Sequence, residues 1–461
     1  MTLTNAQNRD VQSVLHPYTN LLKFRETGPM VIERGKGVFV YDEHGKDYIE
    51  GMSGLWCAAL GWGETVLADV AAEQMKKLAF GHLFSGKSHE PAIALAEKLK
   101  EIAPFPVGKV FFANSGSEAN DTQIKLYWYA SNARGKTQKK KIISRTKAYH
   151  GVTIASASLT GLPGNHKGWD LPLDFVTFAD CPHYYRNAEA GESEEQYSAR
   201  LAANLEALIE REGADTIAAM IAEPLMGAGG VILPPKGYFA AIGRVLAAHD
   251  IPLISDEVIT GFGRTGNWFG SQTYGFQPES MTVAKALSSA YLPISAVMLS
   301  PELSEIVEQE SGKLGTFGHG FTYTGHPVAS AVALKTIELY QERDIVGHVR
   351  RVSPRFAKRI AKLGEHPMVG EAVSVGLIGA IELVSNKVAK TGFDPAKYVA
   401  ATVFALAQEE GVIARPLLSD RIAFCPPLII SDAEIDEMFD RFERGLNRGY
   451  DWAKREGLLT A

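Results

Sequence analysis

The chain has 461 residues, which is enough for two or more domains that each bury a core. With 46% hydrophobic and 22% charged residues, its composition is that of an ordinary globular protein. A net charge of −6 argues against nucleic-acid binding through bulk positive charge. Three scattered cysteines predict no disulfide framework, and neither a signal-peptide pattern nor a long apolar run is visible. We therefore expect a cytoplasmic protein with no membrane or nucleic-acid partner.

Short apolar runs alternate with helix-like stretches through the middle of the chain. The runs predict strands at residues 109–114, 141–146, 218–224, 252–258, 281–285 and 295–300. The amphipathic stretches predict helices at residues 91–102, 194–212 and 238–250. A final helix is predicted to begin at Ser431, because Glu434 completes a capping box there.

Alternating strands and helices are typical of an α/β fold in which helices cover a mostly parallel sheet. We predict that residues 61–326 form a large domain of this kind and that residues 327–461 form a smaller α+β domain. Residues 1–60 are expected to join the small domain.

The first candidate site follows the strand predicted at 109–114. Ser115, Gly116 and Ser117 lead from that strand into a helix-like stretch. Glycine lets the backbone approach a ligand, and unpaired amides at a helix start attract anions, so this loop is a candidate phosphate site. An ordinary serine N-cap is the alternative interpretation.

The second candidate site combines a carboxylate and a lysine. Asp256, followed by Glu257, ends one apolar run, and Lys285 ends another. Ligands of open α/β sheets collect at the carboxyl ends of strands, and a lysine in apolar surroundings can act as a nucleophile or a base. A surface turn and a solvated lysine are the alternatives.

Several other motifs favour no function. The glycines at 261, 263 and 266 match a dinucleotide fingerprint, but no helix-like stretch follows them. Residues 130–137 end like a P-loop, yet alanine stands where its first glycine is required. The lysines at 139–141 are expected to form a solvated loop edge. Cys181 and His183 lack a second ligand pair, so no metal site is predicted.

A phosphate loop, a carboxylate and a lysine 29 residues later (285 − 256) match what pyridoxal 5'-phosphate (PLP) requires of a protein. The chain resembles the class III aminotransferases of fold type I, and most of all the bacterial ω-transaminases that use pyruvate. The motifs that carry this resemblance are NSGSEAND (114–121), KAYHG (147–151), AEPLMGAGG (222–230), SDEVITGFGRTG (255–266), HGFTYTGHP (319–327) and GVIARP (411–416).

The resemblance implies a role for each cofactor-binding residue. Lys285 would bind PLP covalently, and Asp256 would pair with its ring nitrogen. The phosphate would be bound by Gly116, Ser117 and, from the neighbouring subunit, Thr322. Tyr149 would stack on one face of the ring and Val258 on the other. Glu223 would be a buried acid near Asp256 or the ring's phenolic oxygen.

The resemblance also implies a substrate pocket and a reaction. Tyr18, Trp56 and Phe84 would form apolar walls, and Arg415 would bind the carboxylate of the acceptor. Core aromatics and a surface charge are the alternatives for these four. The expected reaction moves an amino group from an amine or ω-amino acid to an α-keto acid, with pyruvate giving alanine, by a ping-pong mechanism. A homodimer, or a tetramer of dimers, would be the active assembly.

The chain departs from the family pattern after the lysine, where Ala290 and Ser295 replace two glycines. Three other functions stay open on sequence alone. These are a different PLP reaction (aminomutase, racemase or decarboxylase), a non-catalytic PLP-binding regulator, and a nicotinamide-dependent oxidoreductase.

Overall fold

The computed structural model describes residues 3–460, which form three sheets with helices packed around them. The strands of these residues are β1 (Ile32–Lys36), β2 (Phe39–Asp42), β3 (Asp47–Glu50), β4 (Lys109–Ala113), β5 (Lys141–Arg145), β6 (Val176–Ala179), β7 (Ile217–Ala222), β8 (Leu253–Asp256), β9 (Ser280–Val283), β10 (Ser295–Leu299), β11 (Val369–Val375), β12 (Ile378–Leu383), β13 (Val412–Ile413), β14 (Arg415–Leu417) and β15 (Arg421–Phe424).

The α-helices complete the layers on either side of the sheets. They are α1 (Asn5–Ser13), α2 (Leu21–Thr27), α3 (Ser53–Trp56), α4 (Thr65–Lys77), α5 (Glu90–Ile102), α6 (Gly116–Ala133), α7 (Ile154–Leu159), α8 (Tyr184–Asn187), α9 (Glu194–Glu212), α10 (Tyr238–Ala248), α11 (Gly270–Tyr274), α12 (Pro301–Leu314), α13 (Pro327–Glu342), α14 (Ile345–Leu363), α15 (Val399–Glu409) and α16 (Asp432–Arg455).

The largest sheet has seven strands in the order β4-β10-β9-β8-β7-β5-β6. Strands β5 to β9 run parallel to one another, whereas β10 is antiparallel to both β4 and β9. Every residue of β7 is buried, as expected for a central strand whose two faces are both covered. The predicted α/β fold with a mostly parallel sheet is confirmed.

This sheet brings three chemically active side chains to one edge. Glu223 directly follows β7, Asp256 is the last residue of β8, and Lys285 follows β9 after one alanine. Because β7, β8 and β9 are parallel neighbours, their carboxyl ends lie side by side. The fold therefore gathers two carboxyl groups and an amine from distant parts of the sequence.

Two four-stranded sheets lie beyond the large one, in the orders β1-β2-β3-β13 and β11-β12-β15-β14. Strand β13 pairs in parallel with β3, so that Ile413 lies opposite Glu50. This pairing joins residues near the start of the chain to the segment that leads into Arg415. The boundaries of the predicted domains stay predictions.

Most predicted elements of the large sheet occur. All six predicted strands are present, and α9 covers the predicted residues. Ser431 caps α16, and Glu434 completes the capping box as predicted. The prediction missed β6 and the N-terminal strands; only one residue of β1 is even partly shielded from solvent, so its sequence carries a weak apolar signal.

The prediction that the three consecutive lysines at 139–141 form a solvated loop edge is wrong. Lys139 is only 7% exposed, and its ammonium group donates to the carbonyl of Asp250 at 3.0 Å. Lys140 and Lys141 are half-buried and also bonded, the latter to Glu212 at 2.9 Å. The run is thus a bonded part of the fold and not a solvated loop edge.

Over residues 3–460, no helix has both the length and the apolar character needed to cross a bilayer.

Candidate active site

A cavity of about 630 Å³ opens at the carboxyl ends of the parallel strands. It is bordered by the large sheet, by the segment after β3 and by β14. Ten of the twelve residues predicted to bind cofactor or substrate line it: Tyr18, Trp56, Gly116, Ser117, Tyr149, Glu223, Asp256, Val258, Lys285 and Arg415. Residues separated by almost 400 positions therefore share one space.

Asp256 is the most firmly held group in this cavity. It is 4% exposed, and its Oδ2 accepts a hydrogen bond from Asn120 Nδ2 at 2.8 Å. His150 Nδ1 lies 2.8 Å from the same oxygen, and the backbone N–H of Val258 donates to Oδ1 at 3.1 Å. Three partners fix the orientation of the carboxylate, as a group that pairs with a ring cation requires.

Asn120 and His150 are site residues that the sequence reasoning missed. The Asn120 amide also donates to the carbonyl of His150 at 2.7 Å, so it ties both residues together. His150 Nε2 is buried without a hydrogen-bond partner among the described residues. Both lie inside motifs that carried the family resemblance, 114–121 and 147–151, which was the available signal.

Lys285 faces the cavity at the start of a strained turn, Lys285–Ser288. Its backbone φ is +52°, a left-handed value that side chains other than glycine rarely adopt. Burial lowers the pKa of its amine, which favours the neutral form. A neutral amine beside Asp256 has the reactivity that a nucleophile or base requires.

The two departures from the family pattern lie close to this lysine. Ala290 has a φ of +66°, so it occupies a conformation suited to the glycine it replaces. Ser295 begins β10, and its hydroxyl donates to the carbonyl of Ser115 at 2.7 Å. The first change strains the turn after the lysine, whereas the second supports the cap of α6.

The start of α6 fits a phosphate group. The amides of Gly116 and Ser117 lie in the first turn, where a helix has no acceptors of its own. Ser117 Oγ accepts from the backbone of Val152 at 3.1 Å, which leaves its proton free to donate. A Cβ at Gly116 would lie 3.2 Å from a methyl group of Val258, a tight contact that glycine avoids. Ser115 caps the helix, as the alternative interpretation expected, and the phosphate site at the same helix start stays a prediction.

Glu223 is buried at the cavity wall, and burial raises the pKa of its carboxyl group. Its two oxygens accept from the backbone N–H groups of Tyr149 at 3.1 Å and Gly227 at 2.8 Å. This acid therefore holds the backbone of the residue predicted to stack on the cofactor ring. It forms no hydrogen bond with Asp256.

The opposite side of the cavity carries the residues predicted to bind substrate. Tyr18 is 70% exposed at the mouth, and Asn165 Nδ2 donates to its hydroxyl at 2.6 Å. Trp56 is 2% exposed and contributes an apolar wall. Arg415 is half-buried, and no carboxylate of residues 3–460 lies within 4.0 Å of its guanidinium. An unpaired cation thus borders an otherwise apolar side.

Phe84 and Thr322 do not line the cavity of their own chain. Phe84 packs against the loop around Gly320, where a Cβ would lie 2.9 Å from its ring, and remains 44% exposed. Thr322 is exposed in that same loop. Phe84 therefore does not wall the cavity of its own chain, and its contribution to the substrate pocket stays a prediction.

His183 lies beside two acids, although no metal site was predicted around it. Nitrogen and oxygen atoms of His183, Glu371 and Glu382 lie within 4.8 Å of one another. The guanidinium of Arg421 contacts all three, at 3.2 Å from His183 Nε2 and 2.6 Å from Glu382. The guanidinium of Arg421 therefore supplies, next to Glu371 and Glu382, the positive charge that a metal ion would otherwise provide.

The glycines at 261, 263 and 266 form a turn, and the helix that follows, α11, has five residues and starts only at Gly270. A dinucleotide fingerprint needs a helix that opens directly at its glycines. The predicted weakness of this motif agrees with the structure.

Comparisons with known proteins agree with this geometry. The sequence model of the family described as aminotransferase class-III matches residues 23–446. A mitochondrial gamma-aminobutyrate transaminase 1 of Oryza sativa subsp. indica is 49% identical over 427 residues, which cover 92% of this chain and 82% of the relative.

Solved structures of transaminases superpose on nearly the whole chain. The ω-transaminase of Pseudomonas jessenii in complex with PMP has a TM-score of 0.96 and 50% identity, over 97% of this chain and 99% of that one. A transaminase with L-Ala has a TM-score of 0.90 and 54% identity, over 92% of this chain and 99% of the other. With a family match of this length and a site that fits PLP, the chain belongs to the class III aminotransferases, transferases of fold type I that use PLP as cofactor.

Proposed function

We propose that this aminotransferase moves an amino group from an amine or ω-amino acid to pyruvate, giving alanine, by a ping-pong mechanism. The observation that carries the proposal is the unpaired Arg415 in the same cavity as Asp256 and Lys285. One pocket must accept first an amine and then a keto acid. A single cation near the apolar wall suits the one carboxylate of the acceptor.

The number of cations in the cavity favours a monocarboxylic acceptor. Apart from Lys285, Arg415 is the only lysine or arginine of the described residues that lines it. A dicarboxylate such as 2-oxoglutarate would bury a second negative charge without a cation in this chain's part of the site. An unpaired buried charge is strongly unfavourable, so pyruvate is the better fit.

Lys285 and Asp256 divide the proton chemistry between them. Lys285 Nζ would take the proton from the carbon that carries the donor's nitrogen and pass it to the aldehyde carbon of the cofactor, as one positioned base. The Asp256 carboxylate, oriented by Asn120 and His150, keeps a proton on the ring nitrogen. Bound PLP supplies the electron sink that makes the carbon acidic enough for this transfer.

The remaining cofactor contacts hold PLP in place. The start of α6, with Gly116 and Ser117, would bind the phosphate, and Tyr149 and Val258 would contact the ring. Glu223 secures the backbone of Tyr149. These contacts exclude water from the ring and fix the reacting carbon near Lys285.

Arg415 serves two substrates because it can move. A fixed guanidinium facing an apolar donor would lose hydration without gaining a partner. A long side chain at the start of a short strand can turn towards solvent for the donor and turn back for a carboxylate. Among residues 3–460, no acid lies within 4.0 Å of its guanidinium to hold it in one position.

A homodimer is the proposed minimum assembly. Phe84 and Thr322 are both exposed, on two loops of this chain that pack against each other, and neither lines the cavity of this chain. We therefore assign them to the cavity of the neighbouring subunit. Thr322 would bind the phosphate there, and Phe84 would add an apolar wall.

All three cysteines are free, which supports a cytoplasmic location.

Relatives support the choice of substrates. One P. jessenii variant engineered for asymmetric synthesis of bulky amines carries substitutions of a tryptophan, a phenylalanine and an arginine. These have the same spacing along that chain as Trp56, Phe84 and Arg415 have here. A transaminase with L-Ala and gamma-aminobutyrate transaminases are the other precedents.

A panel of amine donors tests the proposal. The holoenzyme is incubated with 1-phenylethylamine, β-alanine, 4-aminobutyrate or putrescine, together with pyruvate or 2-oxoglutarate. We expect alanine to form in equal amount to the ketone or aldehyde product, and glutamate to form far more slowly. Faster glutamate formation would refute the monocarboxylate acceptor, and amine consumption without amino transfer would refute transamination.

A further inference from the structure

The loop between β3 and the cavity has a backbone that must be held in place. Ser53, Gly54 and Trp56 have φ values of +51°, +67° and +67°. Left-handed conformations are unfavourable for residues other than glycine, because Cβ comes too close to the following carbonyl oxygen. Two of these three residues carry side chains, so the loop keeps this shape only because surrounding contacts impose it.

Glu50 supplies a contact at the centre of this loop. It is the last residue of β3 and is 4% exposed. The backbone N–H of Gly54 donates to its carboxyl group, and that of Met52 is a second donor. Across the described chain, no lysine, arginine or histidine nitrogen lies within 4.0 Å of this carboxyl. Burial raises its pKa to about 8. Glu50 is thus a buried acid that the mechanism does not use.

The flanks of the loop have their own anchors. Ser53 Oγ donates to the carbonyl of Cys425 at 2.7 Å, and the guanidinium of Arg264 donates to Ser53 Oγ at 3.3 Å. The N–H of Cys425 donates to the carbonyl of Gly51 at 2.6 Å. These bonds fix Gly51 and Ser53, and the N–H of Trp56 donates to the carbonyl of Met52 at 2.9 Å. Between these bonded positions, Glu50 provides the side-chain contact of the Gly54 backbone.

The residues after Gly54 form part of the substrate wall. Leu55 and Trp56 both line the cavity. Trp56 packs in one apolar cluster with Leu225 and Ile259, which also border the cavity. A shift of the backbone at Gly54 would therefore move the indole and change the space beside the reacting carbon.

We propose that Glu50 is a positioning residue that sets the size limit for the amine donor, because its carboxyl holds the Gly54 backbone and so fixes Trp56 against the cavity. The inference rests on the proposed function, since it concerns which donors that same site accepts. Glu50 touches neither substrate nor cofactor, and its effect on the reaction passes through the indole.

The test compares two donors in variants that lose or keep this contact. The measured quantity is the ratio of kcat/KM for 1-phenylethylamine to kcat/KM for alanine. This ratio should change about tenfold in Glu50→Ala and in Glu50→Asp, whose side chain is one methylene shorter. Glu50→Gln keeps an acceptor oxygen and should stay within about twofold of the parent ratio. If Glu50→Ala does not fold, Glu50→Asp carries the comparison.

Asp42→Asn is the matched control. Asp42 is a buried carboxylate in the adjoining strand, β2, and accepts backbone N–H bonds from His44 and Lys46 at 2.9 and 3.0 Å. Its turn does not border the cavity. We expect this variant to lose stability while the donor ratio stays constant. An equal change of the ratio in Asp42→Asn would reduce Glu50 to a general structural role and overturn the proposal.

A second background shows whether Glu50 acts through the indole. In Trp56→Gly, the further change Glu50→Ala should leave the donor ratio unaltered, because the side chain that it positions is gone. A tenfold change that persists in Trp56→Gly would overturn the proposal.

Fluorescence separates this inference from the proposed function. The difference between the parent and Trp56→Phe isolates the emission of Trp56, which is 2% exposed and should resist quenching by acrylamide. In Glu50→Ala that emission should become quenchable even if the enzyme used none of the tested donors. Unchanged protection of Trp56 would contradict the positioning role whatever reaction the enzyme catalyses.

Discussion

The two sides of the cavity are built differently. The cofactor side rests on strand ends of the parallel sheet, and its acids Asp256 and Glu223 are bonded to several donors. The substrate side rests on loops with left-handed residues, such as Tyr18 and Trp56, and carries the unpaired Arg415. A rigid cofactor side can keep one chemistry while the loops opposite it change which substrates enter.

The largest effect should come from the lysine on the cofactor side. Lys285→Ala removes both the covalent attachment and the base, so turnover should fall by at least about 10⁴-fold. Borohydride reduction followed by mass spectrometry should find no PLP-labelled peptide. Lys139→Ala, which removes another buried lysine outside this cavity, should keep the label and most of the activity. Near-parent turnover in Lys285→Ala would refute the assignment.

Asp256→Asn keeps the shape of the side chain but removes the charge opposite the ring nitrogen. We expect the first-order rate of proton transfer to fall about 10²–10³-fold, with a smaller change in donor affinity, because the charge matters most in the transition state. Single-turnover absorbance measurements give both quantities. Glu257→Gln alters the neighbouring buried carboxyl, which binds the N–H groups of Gly270 and Ser271, and should lower stability without this selective loss.

How far the sequence predicts this site follows from the range of each interaction. Asp256 and Lys285 were predictable because each closes an apolar run, a local pattern. His150 and Asn120 were not, since their bonds to Asp256 span 106 and 136 residues, and no local pattern announces such pairing. The position of the Phe84 ring outside the cavity of its own chain was not predictable, because sequence alone does not say on which side of a loop a ring packs.

A third prediction concerns the boundary between two subunits. Thr322→Val removes the hydroxyl that we propose donates to the phosphate of the neighbouring subunit's cofactor. A hydrogen bond to a charged group is worth about 1.5–3 kcal/mol. PLP should therefore dissociate at least about tenfold more readily on dilution. Equilibrium dialysis combined with sedimentation measures cofactor retention and assembly together.

Thr316→Val changes an exposed threonine of the same loop and serves as the control for this measurement. It should retain PLP like the parent. A fully active, PLP-saturated monomer would reject the shared site.

The smallest effect should come from Ala290. Its φ of +66° is strained for alanine, so Ala290→Gly should raise the free energy of unfolding by about 1 kcal/mol. Chemical denaturation of the holoenzyme measures the change. Ala286→Gly is the control. Ala286 is buried in the same turn and its φ is not positive, so this change should lower the free energy of unfolding instead. A loss of stability in Ala290→Gly would show that the turn is not strained there.

The most direct test of separate cofactor and substrate sides is stopped-flow measurement of the two half-reactions in Arg415→Ala. The account predicts that the half-reaction with 1-phenylethylamine stays within a few-fold of the parent. The half-reactions with pyruvate and alanine should lose apparent affinity by some tens-fold or more, as expected for loss of about 2–5 kcal/mol from a carboxylate contact. Equal losses with the uncharged amine and the keto acid would contradict the account, because Arg415 would then support the cavity as a whole and not the carboxylate alone.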